Sequence, residues 1–330
     1  MDARPSVDVF FSELTTLYKG VLIAAGVLTV LTVLIGFKML FDITRKVKND
    51  DVQADLYWIL CSPMIVSIMC LLGLIFPRVS DVIYYVGMIT LAFAMTTLCA
   101  LMIRLCGGRK TLCESSHGKT MTLRGRINCF GCCPNIDPTE SNLRILVGFV
   151  HQLPVVRGAF AIAIIIIGFE GGKSTIISVL GIAGFISSIL GIAAVQTISN
   201  FTAEYVEPTK VARIFRLIAL IHLLYSLLHT ILRIVAVTGG LSAPHPLSPI
   251  VAAGFWFNSA LILGIFVLSI SLAVTAHPGN STLFVSAAFL VQNRSQQVNV
   301  ELPRSNGHRE EVWSADGQMY AGHSYAHYTA

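Results

Sequence analysis

Polar and apolar positions along this chain fall into long blocks rather than short alternations. Seven apolar runs dominate, at 21–43, 56–76, 82–103, 145–169, 174–199, 214–237 and 250–276. A hydrocarbon core about 30 Å thick needs about 20 apolar residues in a helix rising about 1.5 Å per residue. Each run meets that length. Backbone amides in lipid must pair within their own segment, so these runs predict helices and not open strands. The pattern predicts an all-α membrane protein with seven transmembrane helices. Only 12% of residues are charged and the mean hydropathy is +0.72, so most of this surface is not built for water.

The polar blocks divide the rest. Residues 1–20 form a short N-terminal segment, 104–142 a long loop, and 277–330 a tail. The first apolar run follows a stretch of mixed charge (Asp2, Arg4, Asp8, Glu13, Lys19) and exceeds the usual signal-peptide core. It is expected to stay as a signal anchor. Orientation follows from the lysines and arginines. With the N-terminus outside, four lie in outer segments (Arg4, Lys19, Arg78, Lys173) and sixteen in inner ones, while Lys38, Arg157 and Arg233 sit within spans. That asymmetry predicts an outer N-terminus and a cytoplasmic C-terminus. The net charge of +5 is then topology and contact with anionic lipid headgroups, and no nucleic-acid partner is expected.

The same orientation removes several motifs. Asn200-Phe201-Thr202, Asn280-Ser281-Thr282 and Asn293-Arg294-Ser295 match the glycosylation pattern but fall on the cytoplasmic side. Gly168 to Ser174 has glycines one residue too close for a phosphate-binding loop and reads as a tight outer turn. The long loop holds five of the eight cysteines: Cys106, Cys113, Cys129, Cys132 and Cys133. A reducing cytosol disfavours disulfides. Reversible acylation of Cys129, Cys132 and Cys133 is the favoured expectation, beside the membrane and among bases. A zinc site with His117 or Cys113, or inert thiols, are the alternatives. The pattern lacks a second Cys-x-x-Cys pair, so no metal is assigned.

The chain resembles the alpha subunit of the organic solute transporter. The likeness is carried by Ser62-Pro63, Val66-Ser67, Gly73 and Pro77-Arg78-Val79-Ser80. It continues through Gly107-Gly108, the cysteine cluster with Pro134, Gln152 with Arg157, Glu207 with Lys210–Arg213, and Thr238-Gly239-Gly240. Two departures stand out: Phe130-Gly131 interrupts the cysteine cluster, and His229 stands where vertebrate members carry glutamine. The resemblance implies facilitated, gradient-driven movement of amphipathic organic anions such as bile acids and steroid conjugates. It also implies a separate single-span beta subunit and work at the plasma membrane.

The sixth span is the most informative segment by residue type. At 100° per residue, His222, Ser226, His229 and Arg233 fall within about a 60° sector, with Tyr225 at its edge. A cation near the membrane centre is expensive and usually faces a bundle interior or wet cavity. Such a stripe suits an anionic amphipath, with rings against aliphatic walls and the anion against guanidinium. The structural alternative has Arg233 snorkelling to the outer headgroups and the histidines packed. In the fourth span, Gln152 and Arg157 are candidate contacts about 140° apart on a straight helix, with Pro154 between them. Asn258 is expected to make an interhelical hydrogen bond.

In the fifth span, Ala183, Ser187 and Gly191 recur every four residues beside Gly184 and Ser188. Small residues at this spacing let backbones approach, either within the chain, in a homo-oligomer, or against the beta subunit. The tail is predicted to touch the inner interface at 283–291 and to be disordered beyond 292. No nucleophile elbow, His-Glu-x-x-His pair or intramembrane acidic pair appears, so neither catalysis nor a cofactor is expected. A seven-span receptor and a non-transporting membrane organiser are the competing functions. Asp-Arg-Tyr and Asn-Pro-x-x-Tyr sequences are missing from the spans where such receptors carry them.

Overall fold

In the computed structural model, the residues described are 7–47, 49–114, 121–122, 135–169, 174–206, 210–241 and 248–276. A short helix α1 (Val7–Glu13) precedes the first long helix, α2 (Thr16–Lys46). Then come α3 (Asp50–Ile75), a 3-10 turn (Pro77–Val79), α4 (Ser80–Leu105) and the short α5 (Arg109–Glu114). Four more long helices follow: α6 (Glu140–Phe169), α7 (Ser174–Val206), α8 (Val211–Val237) and α9 (Pro249–Thr275). Seven of these, α2, α3, α4, α6, α7, α8 and α9, are long and apolar enough to cross a membrane. Each covers one of the seven apolar runs, extended at most ends by polar turns.

Local chemistry sets several boundaries. Asn49 caps α3 by accepting from the Val52 amide at 3.1 Å, with Asp50 and Asp51 in the first turn where the helix dipole favours them. Ser248 caps α9 through the Val251 amide, with Pro249 at the first helical position. Two double glycines close spans in the same way. The Gly108 amide bonds to the Ile103 carbonyl at 3.0 Å and the Gly107 amide to the Arg104 carbonyl at 2.9 Å. At the end of α8, Gly240 bonds to the Val235 carbonyl and Gly239 to that of Ala236. Gly107 and Gly239 sit at φ values of 82° and 78°, so both ends use the left-handed turn that glycine adopts without strain.

The most buried helix is α4, flanked by α3, α6, α7 and α8. On the other side, α9 packs on α3 and α8, and α2 lies against α3 and α9. The outer faces are apolar: Ile23, Val27, Val30 and Leu34 on α2, and Val179, Ile182, Ile186 and Leu190 on α7, are exposed at helical spacing. That surface matches hydrocarbon, not water. Pro63 and Pro154 lie inside continuous helices, as membrane spans allow where neighbours re-satisfy the freed carbonyl.

Outside the spans, a two-residue antiparallel ladder pairs β1 (Met121–Thr122) with β2 (Asn135–Ile136). It joins the two ends of 123–134. Met121 is buried, and β1 packs against α7. Cys129, Cys132 and Cys133 lie within 123–134, outside the described residues, as do the tail and the Gly168–Ser174 turn beyond Phe169. Of the other two loop cysteines, Cys106 is buried and Cys113 half-buried. Burial, with Glu140 and Glu114 nearby, pushes the Cys113 thiol up from its ordinary value.

Candidate functional site

Four helices meet around the buried guanidinium of Arg157. This side chain leaves α6 in the middle of the bundle, and the residue is only 4% exposed. Its Nε donates to Ser188 Oγ on α7 at 3.1 Å, and Nη2 donates to the same oxygen and to Ser226 Oγ on α8 at 3.3 Å. Among the described residues, no carboxylate lies within ion-pair distance of it. A permanent cation in a span costs about 2.5–3.5 kcal/mol on insertion scales. Among the described residues, hydroxyls alone offset that cost.

The room for Arg157 comes from glycine. A Cβ on Gly184 of α7 would lie 2.7 Å from Arg157 Nη1 and 3.3 Å from the Phe160 ring. One on Gly191 would meet Leu153 at 2.5 Å. The small-residue row of the fifth span therefore receives α6 of the same chain. Ser188, in that row, does more than pack. Its oxygen accepts from Arg157 and also lies within hydrogen-bond distance of His222 Nε2, at 3.1 Å. His222 Nδ1 has no partner among the described residues.

Above this network is a cavity of about 120 Å³. It is lined by Tyr84 and Tyr85 of α4, Arg157 and Phe160 of α6, Leu180 and Gly181 of α7, and His229, Thr230 and Arg233 of α8. Arg157 Nη1 makes no hydrogen bond among the described residues. The rim is apolar and exposed on the outside of the bundle at Ile182, Ile234 and Val237. The cavity thus opens between α7 and α8 toward surrounding hydrocarbon.

An aromatic cluster forms the wall toward α9. The Tyr84 ring stacks on His229 with centroids 3.7 Å apart and on Tyr225 at 5.1 Å. Tyr225 and His229 reach the same ring because they are four residues apart on one helix face. Phe257 of α9 meets all three rings at steep angles, at 5.6, 5.4 and 5.2 Å. The Tyr225 hydroxyl donates to the Tyr84 carbonyl at 3.2 Å. Arg233 Nη1 faces Asp81 Oδ1, in the first turn of α4, at 4.0 Å, with side chains 21% and 34% exposed.

The predicted stripe on α8 therefore divides by depth. His229 and Arg233 line the cavity, whereas His222, Tyr225 and Ser226 are buried in packing below it. Ser226 still belongs to the site, through Arg157 and a contact to Met88 Sδ at 3.7 Å. Arg233 faces Asp81 and lines the cavity. Gln152 is half-buried and does not line the cavity, consistent with its position about 140° from Arg157. Asn258 makes the expected bland contacts, to the Gly254 carbonyl at 2.9 Å and Ser80 at 3.5 Å. Sequence reasoning missed Asp81, Tyr84, Tyr85, Phe160 and Thr230. Only the position of Asp81, one residue before an apolar run, hinted at a charge within reach of a span.

Comparison with known proteins gives this architecture a family. A family model described as organic solute transporter Ostalpha matches residues 21–275, from within α2 to the last residue of α9. The chain belongs to that family. Organic solute transporter alpha-like protein 2 of Caenorhabditis elegans is 21% identical over 291 residues, covering 85% of this chain and 84% of that protein. Organic solute transporter alpha-like protein 1 of the same organism is 22% identical over 171 residues, covering 50% of this chain but only 44% of its own length. No solved structure matches the chain at a significant level. As a member of the Ostalpha family, this is a multi-span protein of a solute-transport family, not of an enzyme family.

Proposed function

We propose that the chain carries amphipathic organic anions passively, in both directions, across the plasma membrane. It does so as one half of a heteromer with a single-span beta-type subunit. Bile acids, steroid conjugates and similar lipid-like solutes are the substrate class. The observation that carries this reading is Arg157: a guanidinium, 4% exposed, ligated among the described residues by hydroxyls alone, beside a cavity with an apolar rim. An anion that entered would supply the counter-charge the protein leaves out, and its rings would lie on Tyr85, Phe160 and Ile164.

The named relatives, organic solute transporter alpha-like proteins, support the solute role. The partner and membrane expectations rest on the family resemblance. Ligand sites for drug-sized molecules occupy about 300–1,000 Å³. A cavity of about 120 Å³ is therefore a narrow state, and α7 and α8 must part to admit a steroid. Neither an ATP-driven nor an ion-coupled step is invoked. With the N-terminus outside, the cavity lies toward the outer half of the membrane, and the acylated loop holds the opposite face to the lipid.

The test is uptake of a radiolabelled sulfated steroid by cells expressing the full chain with and without a beta-type partner. Flux is expected only with the partner, and is expected to fall on Arg233→Ala and Arg157→Gln at unchanged surface level. A ligand-dependent G-protein response without flux would favour a receptor, and neither response a membrane organiser.

A further inference from the structure

Two small cavities, each of about 30 Å³, continue from the main one toward the start of α4. One shares His229 and Arg233 with the main cavity and is lined also by Asp81, Ile250 and Gly254. The other lies against Phe10 of α1 and again touches Asp81, Ile250 and Gly254. Among the described residues lining all three, the carboxylates and guanidiniums are Arg157, Arg233 and Asp81. Two positive charges and one negative leave a net of one positive charge. The two cations are unequal. Among the described residues Arg157 has hydroxyl partners only, while Arg233 faces Asp81 at 4.0 Å.

We propose that Asp81 is a specificity-determining residue: it holds Arg233 as an internal counter-ion and so tunes the cavity to ligands bearing a single negative charge. This rests on the anion-carrier reading above. A monoanion neutralises the site through Arg157 without disturbing Arg233. A second negative charge must take Arg233 from Asp81, and the displaced carboxylate then repels it in a low-dielectric surround. Neutralising Asp81 takes the negative charge from beside Arg233 and removes that barrier. Asp81 was invisible to span-based reasoning because it lies in the first turn of α4, outside the apolar run.

The experiment uses the full chain purified together with a beta-type partner in detergent micelles, and three ligands on one steroid nucleus: the neutral diol, its monosulfate and its disulfate. Apparent Kd values are read from ligand-dependent melting shifts. Asp81→Asn is expected to move the disulfate-to-monosulfate affinity ratio at least tenfold toward the disulfate. The double variant Asp81→Asn with Arg233→Gln restores one net positive charge and is expected to return that ratio to the wild-type value. A purely structural role for the pair would not produce that return. If Asp81→Asn does not fold, Arg233→Gln alone leaves no net charge and is expected to weaken the monosulfate at least tenfold while sparing the diol. Should wild type bind the monosulfate and neither Asp81→Asn nor Arg233→Gln alter the ratios, the assignment of Asp81 is wrong and the carrier reading stands. No sulfate-dependent binding by wild type overturns both.

Discussion

Replacing Arg157 with methionine affects both stability and transport. The substitution removes a cation whose place in a span costs about 2.5–3.5 kcal/mol on insertion scales. It also removes hydrogen bonds to Ser188 and Ser226, and bonds to a charged group contribute about 1.5–3 kcal/mol each. Ser188 keeps His222 and Ser226 keeps Met88 as partners, so neither hydroxyl is stranded. The three bonds lost, about 4.5–9 kcal/mol together, outweigh the insertion cost recovered. The melting temperature of the purified variant is therefore expected to fall below that of wild type. Transport falls as well. A sulfate about 4 Å from the guanidinium at an effective dielectric of about 20 gains about 4 kcal/mol, and water in the cavity screens part of that. Retaining half to all of it predicts a loss of about 30- to 1,000-fold in kcat/KM, at about 1.4 kcal/mol per tenfold. The assay is initial uptake of a sulfated steroid at matched surface level, with the unsulfated parent as control. Sulfate-dependent uptake within threefold of wild type would refute the role given to Arg157.

Other perturbations follow from the same geometry. Gly184→Ala places a methyl 2.7 Å from Arg157 Nη1 and 3.3 Å from Phe160, so it is expected to lower uptake about tenfold and stability by about 1–3 kcal/mol, read by transport and melting. Tyr225→Phe removes the bond to the Tyr84 carbonyl but keeps the stack, so melting is expected to report a loss of about 1 kcal/mol with uptake nearly unchanged. A large loss of uptake would move Tyr225 into the ligand site. Replacing Cys129, Cys132 and Cys133 together with serine is expected to abolish a hydroxylamine-sensitive acyl label, and a label that persists places acylation elsewhere. A cysteine at Ser6 is expected to react with a membrane-impermeant maleimide on intact cells and one at Ser305 only after permeabilisation. The reverse pattern would invert the proposed topology.

The spans were legible because lipid imposes a length and leaves no tolerance for unpaired backbone. Even their ends were partly written, since Gly107-Gly108 and Gly239-Gly240 supply the left-handed turn that stops α4 and α8. The site was legible only as separate charges. Arg157 and Arg233 stood out because cations in apolar runs demand a reason. Their convergence on one cavity depends on how α6, α7 and α8 cross, and one-helix periodicity carries no such information. A helical wheel gives angle but not depth, so it grouped His222 with Arg233, although the first is packed and the second lines the cavity. Ser188 read as a packing residue because its size explains α6–α7 contact, while its hydroxyl role needs the position of Arg157. Tyr84 carries no mark within α4 and gains its role from Tyr225 and His229 on another helix.

The most direct measurement is an experimental map of the chain with the proposed beta-type partner, prepared with a sulfated steroid. The account predicts the sulfate within hydrogen-bond distance of Arg157 Nη1, the rings against Phe160 and Tyr85, and α7 and α8 further apart than here. Ligand density confined to the outer lipid face, with Arg157 still held only by Ser188 and Ser226, would contradict it.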